Sequence, residues 1–448
     1  LAYGGDVGDK PNLKAFCFNG LVFADRTLSP KYYEVKKIYQ PLRMGRFVQE
    51  DLNTFSFSVK NYHHFTNLNQ YNVGWELLEN GKTIDSGTID DWDVAPGKTS
   101  EFFVVPKKFK PDTCREYFLR AGFYLKEKTL WADKGFCVGQ EQIALKIGNF
   151  TPALKENPKV LKRIFKSDEA IEIVGNRFSV VFDRRQGVLR SIKYKGKEML
   201  SAPPVFQGYR APTDNDAGFG NWLAKDWKEH GLDRLVREVI SSEIIEEKAN
   251  EIRIKTVTEN RAKQGKIIHE CIWTIDGDGN IDMDNCFIPE GELPELPRLG
   301  VVMALSGDLE QMEWYGHGPY ENYIDRKESC PVGLYRSTVT EQYVPYPHPQ
   351  ETGNKEGIRR LKLSDTRGNG LLFTCLSETM SGSALHFTAG DLDAATHAYQ
   401  LRPRKEVILS LDAVMLGLGN SSCGPGVLKK YAVAKKPYRL HIRITQQK

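Results

Sequence analysis

The stretch SEIIEEKANEIRIKTVTENRAKQGKIIHECIWTIDGDGNIDMDNCFI, residues 242–288, decides the fold class. Within SEIIEEK, EIRIKTV, IIHECIWTID and NIDMDNCFI, apolar and polar residues alternate, the period of strands with one face buried. The breaks between them are short and polar, which is turn chemistry rather than crossover-helix chemistry. The four segments therefore form an antiparallel meander. Working outward, AIEIVG (170–175), FSVVFD (178–183) and SIKYKG (191–196) continue the pattern on the N-terminal side, and a partly helical insert, Asn221–Leu235, interrupts it. Residues 168–448 are expected to form one unit, a large two-sheet antiparallel sandwich. No fixed-period repeat is present.

Further upstream, residues 42–147 carry shorter strands at Phe55–Val59, Val73–Leu78, Glu101–Val105, Tyr117–Tyr124 and Phe136–Ala144. Asn80-Gly81, between WELLE and KTIDSG, signals a tight hairpin. Strands of this number and length fit an immunoglobulin-like sandwich. Residues 148–167, beginning GNFTPALKENPKVLKR, read as a linker. The first 41 residues differ again. LAYGGDVGDKPN has the composition of a loop. Ser29 is placed as an N-cap with Pro30 as the first helical residue, and the spacing of Tyr32, Val35 and Tyr39 predicts an amphipathic helix over Pro30–Gln40. The apolar face of that helix is expected to be exposed.

Bulk properties exclude several classes. The 448 residues hold 62 Lys plus Arg against 58 Asp plus Glu, a balance of +4. This is too small and too evenly spread for a nucleic-acid footprint or a membrane-surface patch. Eight cysteines, at 17, 114, 137, 271, 286, 330, 375 and 423, form no CxxC pair and no zinc-finger spacing. They point to a reducing compartment, the cytoplasm, with the periplasm as the alternative. No run of about 18 apolar residues is present to span a membrane. Leu1 is not a Met and no signal-peptide pattern follows it, so the chain is expected to begin mid-protein.

Particular strings carry the reading further. YGGDVGDKPNLKAFCFNGLVFADRTLSPKYYEVKKIYQPLR (3–43) resembles the end of the catalytic TIM barrel of family 2 glycoside hydrolases of the β-galactosidase type. RAPTDND (210–216), WYGHGPYENYIDR (314–326), PQETGN (349–354) and LGNSSCGPG (418–426) are similar to that family's C-terminal small-chain domain, in the family's order. The resemblance implies a mainly β chain: a barrel end (1–41), an immunoglobulin-like sandwich (42–147), a linker (148–167) and a galactose-mutarotase-like supersandwich (168–448). It also implies hydrolysis of β-galactosides such as lactose with retention, by a homo-oligomeric enzyme. A retaining glycosidase needs two carboxyls about 5–5.5 Å apart, and in this family both are glutamates on barrel strands that this chain lacks. The chain is thus expected to be inactive alone, its partner being the missing N-terminal barrel half. Asn250-Glu251, the sole Asn-Glu dipeptide, reads as a solvated strand edge.

The same resemblance assigns site residues. Phe16 would offer its main-chain carbonyl and Asn19 its amide oxygen to a sodium ion, and Asn12 aligns with a magnesium-binding asparagine; hard cations take such oxygens. Both asparagines are equally compatible with turn capping. Asn19 would also hydrogen-bond a sugar hydroxyl, and the Phe16 ring would line the pocket. Cys423 stands where some members place a sugar-stacking tryptophan, and a thiol offers little flat apolar surface. Other strings read as structural. WYGHGPYENYIDR is a signature of paired charges in turns, and Asp214 and Asp216 hold a turn. Glu351 pairs with Arg359 or Arg360, the latter standing where members often have Trp. His63 and His64 are exposed. Two alternatives remain open: a non-catalytic carbohydrate-binding scaffold, and a mutarotase with His317 or His397 as acid and Glu321 or Glu351 as base.

Overall fold

The computed structural model describes residues 2–447 except 52, 91, 108, 155–157 and 219–222. Asn221 and Trp222 of the expected insert, Lys155–Asn157 of the expected linker, and Leu1 lie outside the described residues. The chain divides into two compact units. One comprises Leu28–Ala153 and Glu328–Leu334; the other comprises the chain up to Thr27, Leu154–Lys327 and Tyr335 onward.

The smaller unit pairs a three-stranded sheet, Leu42–Gln49, Phe55–Asn61 and Thr99–Val104, with a four-stranded one. The latter runs in the order Lys82–Ile89, Tyr71–Glu79, Tyr117–Leu125, Cys137–Leu145. The chain crosses between the two sheets three times, from Asn61 to Tyr71, from Ile89 to Thr99 and from Val104 to Tyr117, as in an immunoglobulin-like sandwich. Alternate residues point inward, so Phe55, Phe57, Val59, Val73, Leu119 and Phe123 meet around Trp92. Trp92 lies 4.0 Å from Phe102 between ring centroids. The Asn80-Gly81 hairpin is present, with φ of 46° and 80°, the left-handed pair a two-residue turn requires.

The helix runs Pro30–Ile38, with Tyr39 as its C-cap; Ser29 occupies the N-cap position but makes no side-chain capping bond. The helix docks on Cys137–Leu145, with the Lys37 ammonium 2.6 Å from the Glu141 carboxylate and Lys36 over the Phe136 ring. Ile38 and Tyr39 remain exposed. A short excursion of the chain, Glu328–Leu334, completes this unit: the Glu34 carboxylate accepts the N–H groups of Glu328 and Ser329, and Gln142 binds both polar groups of Val332. No sequence signal marked it.

The larger unit contains the meander as Val236–Glu247, Glu251–Arg261, Gly265–Asp276 and Ile281–Gly291, with unbroken antiparallel register from Glu251↔Asp276 to Arg261↔Lys266. Tyr438–Gln447, Gly370–Cys375, Arg360–Ser364, Gln311–His317 and Val332–Thr338 extend it to nine strands. A five-stranded sheet with Arg298–Leu305 and Val407–Met415 at its centre faces the same core. The expectation of two sheets needs correction. A further five-stranded sheet, from Arg163–Lys166 to Lys197–Glu198, packs into the same core through Ile171, Val180, Phe182 and Ile192. Arg163–Lys166, assigned to the linker from sequence, is its edge strand; its burial is slight, so alternation was weak there. The insert forms a helix at Leu223–His230 and a 3-10 turn at Leu232–Arg234, pinned by the fully buried Trp227. Among the described residues, no helix is long and apolar enough to cross a membrane.

Candidate functional site

The segment from Tyr3 to Thr27 has almost no regular structure, so its shape rests on polar contacts. The Asp6 carboxylate accepts the Tyr3 N–H (2.8 Å), and Asp9 Oδ1 accepts the Gly5 N–H (2.8 Å). Asn12 then bridges the next turn: Nδ2 donates to the Asp9 carbonyl (2.8 Å) and Oδ1 accepts the Lys14 N–H (3.2 Å). The Gly4 N–H returns to the Lys14 carbonyl (3.2 Å). A 3-10 turn, Lys14–Cys17, follows and carries Phe16; Asn19 lies just beyond it, exposed. Asn12, Phe16 and Asn19 are thus presented by one small, internally bonded loop. Asn12 does cap turns, and its amide oxygen is partly committed to Lys14. Asn19 has no side-chain hydrogen bond among the described residues. Neutral amide and main-chain oxygens this close in sequence match the donor chemistry of a sodium ion, and no group of three or more His, Cys, Asp or Glu among the described residues is placed to hold a metal.

The larger sandwich supplies the walls around this loop. Tyr3 stacks on His397 (centroids 4.3 Å, planes 6° apart), and its hydroxyl donates to the Thr396 carbonyl. His397 Nε2 lies 2.8 Å from the Asp6 carboxylate. The Tyr3 N–H first, and the His397 bond next, hold the Asp6 carboxyl below its ordinary value. Burial, with smaller contributions from Asp6 and Asp214, pushes the Tyr3 hydroxyl up. His348 sits among Asp214, Lys14, Asp393 and His397; burial lowers its pKa and Nδ1 has no partner among the described residues. At the other end of the segment, Phe23 meets Tyr346 edge-on at 5.8 Å.

Tyr346 leads into a buried charge network. Its hydroxyl donates to Glu321, which also accepts from Arg326, the Thr352 hydroxyl (3.0 Å) and the Gly353 N–H (2.8 Å). Burial pushes the Glu321 carboxyl up, but Arg326 and these donors outweigh it and hold it below its ordinary range. Asp325 accepts the N–H groups of Leu418 and Gly419. WYGHGPYENYIDR is therefore structural, with its charges paired in turns. Asp216 holds the RAPTDND turn through the Thr213 N–H and hydroxyl, both 2.9 Å, and pairs bidentately with the fully buried Arg210. Arg210 in turn donates to the carbonyls of Leu416 and Gly417.

Glu351 requires a correction. Its partner is Arg298, 3.6 Å away, which also grips Asp412 through both carboxylate oxygens. Arg359 instead donates to the Gly357 carbonyl and lies over Tyr315. Proximity in sequence misled here, because Glu351 lies on an irregular segment whose direction is set by packing, and its partner comes from the separate strand Arg298–Leu305. His63 is also corrected: it is half-buried and bonded to the Tyr71 hydroxyl (2.8 Å), while His64 is exposed as expected. The Asn250-Glu251 corner is solvated, with Glu251 paired to Lys248. Cys423 is exposed on a loop whose neighbour Ser422 is held by Asn215 Oδ1 (2.7 Å to the hydroxyl) and whose Gly419 carbonyl accepts from Asn215 Nδ2. The Cys423 N–H donates to the Asn420 carbonyl (3.0 Å).

Three residues named for the mutarotase alternative have partners within the fold. Glu321 and Glu351 are committed to arginines, and both nitrogens of His397 are engaged, Nδ1 by the Thr396 hydroxyl at 3.0 Å. The contribution of Tyr3 and Asp6 escaped the sequence reading; only the Tyr and Asp of a turn-rich loop were visible.

Three family models match the chain in order: glycosyl hydrolases family 2, TIM barrel domain, over residues 1–44; β-galactosidase domain 4 over 57–146; and β-galactosidase small chain over 174–444. The β-galactosidase of Lactobacillus delbrueckii subsp. bulgaricus is 34% identical over 99% of this chain and 42% of its own length. That of Priestia megaterium is 32% identical over 94% of this chain and 40% of its own. The chain thus spans about two-fifths of the length of these curated relatives. Among solved structures, a putative aldose 1-epimerase from Escherichia coli K12 aligns over 63% of this chain and 98% of its own, at 10% identity and TM-score 0.35. The galactose 1-epimerase from Lactobacillus acidophilus aligns over 65% and 99%, at 9% identity and TM-score 0.31.

Proposed function

This chain belongs to the β-galactosidase small-chain family, and from that premise we propose that it is the C-terminal part of a retaining glycoside hydrolase acting on β-D-galactosides such as lactose. The observation that carries the reading is the run of three family matches, in order, across residues 1–444. On this reading the nucleophile and the acid/base are glutamates of a barrel part outside these 448 residues. The buried carboxylates supplied here serve structure: Asp216, Glu321 and Asp412 are each gripped by an arginine.

The chain's own contribution is to close the barrel and shape the pocket. Phe16 would offer its carbonyl and Asn19 its amide oxygen to sodium, and Asn12 its remaining amide-oxygen lone pair to magnesium. Such ions supply fixed positive charge that orients hydroxyls and ligating oxygens. Asn19 would also bond a sugar hydroxyl and the Phe16 ring would flank it. Cys423 would reach the outer sugar with less apolar surface than an indole gives. The family reading further carries a homo-oligomer, and eight free cysteines fit a reducing, cytoplasmic setting.

The test is a chimera in which this chain replaces the matching two-fifths of the Lactobacillus delbrueckii relative. Hydrolysis of a chromogenic β-D-galactoside, absent from the relative lacking that part, is the expected result. A folded chimera without turnover sinks the proposal.

A further inference from the structure

Nothing regular holds the loop that presents Asn12, Phe16 and Asn19. Val7 and Leu13 on it are 88% and 62% exposed, so apolar burial does little there. What it has is a continuous relay of hydrogen bonds. His397 meets Asp6, and Asp6 closes the turn on the Tyr3 N–H. Asp9 takes the Gly5 N–H and, through its carbonyl, the Asn12 amide; Asn12 takes the Lys14 N–H, where the 3-10 turn bearing Phe16 begins. Among the described residues, the sandwich side of this relay is the 396–397 pair, with the Thr396 carbonyl accepting from the Tyr3 hydroxyl and His397 meeting Asp6.

That pair is itself immobilised. Gln400 Oε1 accepts the N–H groups of Thr396 (2.8 Å) and His397 (3.2 Å). The Thr396 hydroxyl lies 3.0 Å from His397 Nδ1 and 3.1 Å from Gln400 Oε1, and His397 Nε2 lies 2.8 Å from the Asp6 carboxylate, so each ring nitrogen has a polar partner. One ring face stacks on Tyr3, and Tyr399 lies 5.3 Å away. His397 is 9% exposed, which leaves the ring few alternative orientations.

We propose that His397 is a positioning residue that, by stacking on Tyr3 and bonding Asp6, clamps the 3–19 loop to the sandwich and so fixes where Asn12, Phe16 and Asn19 stand. The positioning role rests on the reading of those three residues given above; the clamp itself does not. Misplacing binding groups by a fraction of an ångström weakens binding well before it unfolds a domain.

Amide hydrogen exchange on this chain tests the clamp. In His397→Ala, the Gly4, Gly5 and Lys14 amides are expected to exchange at least about tenfold faster, while the Val407–Met415 amides keep their wild-type rates. His397→Phe, which keeps the stack and loses the bond to Asp6, is expected to fall between the two. Loop amides that exchange no faster in His397→Ala overturn the clamp. In the chimera, His397→Ala is expected to raise the galactoside KM and the half-saturating sodium concentration about fivefold, with kcat within about twofold. Unchanged KM and sodium dependence overturn the positioning role. A folded wild-type chimera without turnover overturns the reading of the site, and with it the positioning role, while exchange still decides the clamp.

Discussion

The smaller unit packs aromatic and aliphatic side chains around Trp92, and among its described residues the buried polar set is Ser29, Gln40, Ser56 and Asn61, with no charge in it. The larger unit buries Arg210, Asp216, Arg298, Glu321, Glu351 and Asp412, all at 5% exposure or less. The difference follows from what each must hold in place. The smaller unit's irregular segments, such as 110–116 and 126–136, are mostly exposed, where water meets their backbone groups, so transfer of apolar surface suffices for its core. The larger unit must also hold long irregular segments, 208–218, 318–330, 343–354 and 416–428, whose carbonyls and N–H groups need partners at depth. Arg210 donating to Leu416 and Gly417, Asp325 accepting from Leu418 and Gly419, and Glu321 accepting from Gly353 supply them. Buried ion pairs add little net stability over an apolar replacement, yet losing one partner is severe. Here they set where loops lie.

That contrast can be broken most sharply at Arg298. Its guanidinium is fully buried; burial alone lowers its pKa, but Asp412 and Glu351 more than offset this and hold it charged. Arg298→Met leaves buried Asp412 without its cation and Glu351 with the more distant influence of Arg210 alone, and the larger unit is expected to lose about 3–5 kcal/mol, read from its slowest-exchanging amides. The smaller unit's amides should not change. A loss under about 1 kcal/mol would mean that the charges matter no more than apolar packing.

The matching change in the smaller unit is Leu119→Ala, a truncation of a fully buried side chain. The expected loss is about 3 kcal/mol, and nearly insensitive to pH between about 5 and 9, because the core cluster around Leu119 holds no carboxylate, histidine or cation and burial pushes its two tyrosines, Tyr71 and Tyr117, above their ordinary value. A strong pH dependence of that loss would contradict the division drawn above.

A smaller effect should appear at Glu356, buried on Lys355–Ile358 with Asn354 Nδ2 donating to it at 3.0 Å. Burial pushes its carboxyl up to about 7, against the partial opposition of Lys327 and Asn354, with Asp412 and Asp325 adding to the rise. A raised carboxyl favours the folded state while protonated. Its contribution is therefore whole below about pH 4.5 and is lost as pH rises towards 7. Glu356→Gln keeps the neutral shape at every pH. The variant is expected to match wild type near pH 4 and to exceed it by on the order of 2 kcal/mol at pH 8 in urea titration. Equal stabilities at both pH values would remove pH sensitivity from the larger unit's polar layer at this point.

Much of this was legible in one dimension. Alternation located all four meander strands, with ends off by up to six residues at Val236, because a half-buried strand must repeat every second residue. Asn80-Gly81 marked its turn because few residue pairs tolerate two left-handed conformations in succession. The family strings located Asn12, Phe16 and Asn19, and the structure presents all three on one loop. Less was legible where partners lie far apart in the chain. Glu351 was matched with nearby arginines, whereas Arg298 approaches from a different strand. His397 and Asp6 are 391 residues apart, and nothing local in either segment announces the other.

Strand periodicity, turn chemistry and the ordered strings are properties of neighbours along the chain, and the sequence alone determined them: mainly β, an immunoglobulin-like sandwich, a supersandwich, and the loop bearing the candidate site. The tertiary structure decided the third sheet, the Glu328–Leu334 excursion, the arginine that neutralises Glu351 and the histidine that holds Tyr3 and Asp6. Each depends on which surfaces meet after collapse, and side-chain direction across a packed interior leaves no period in the sequence to read.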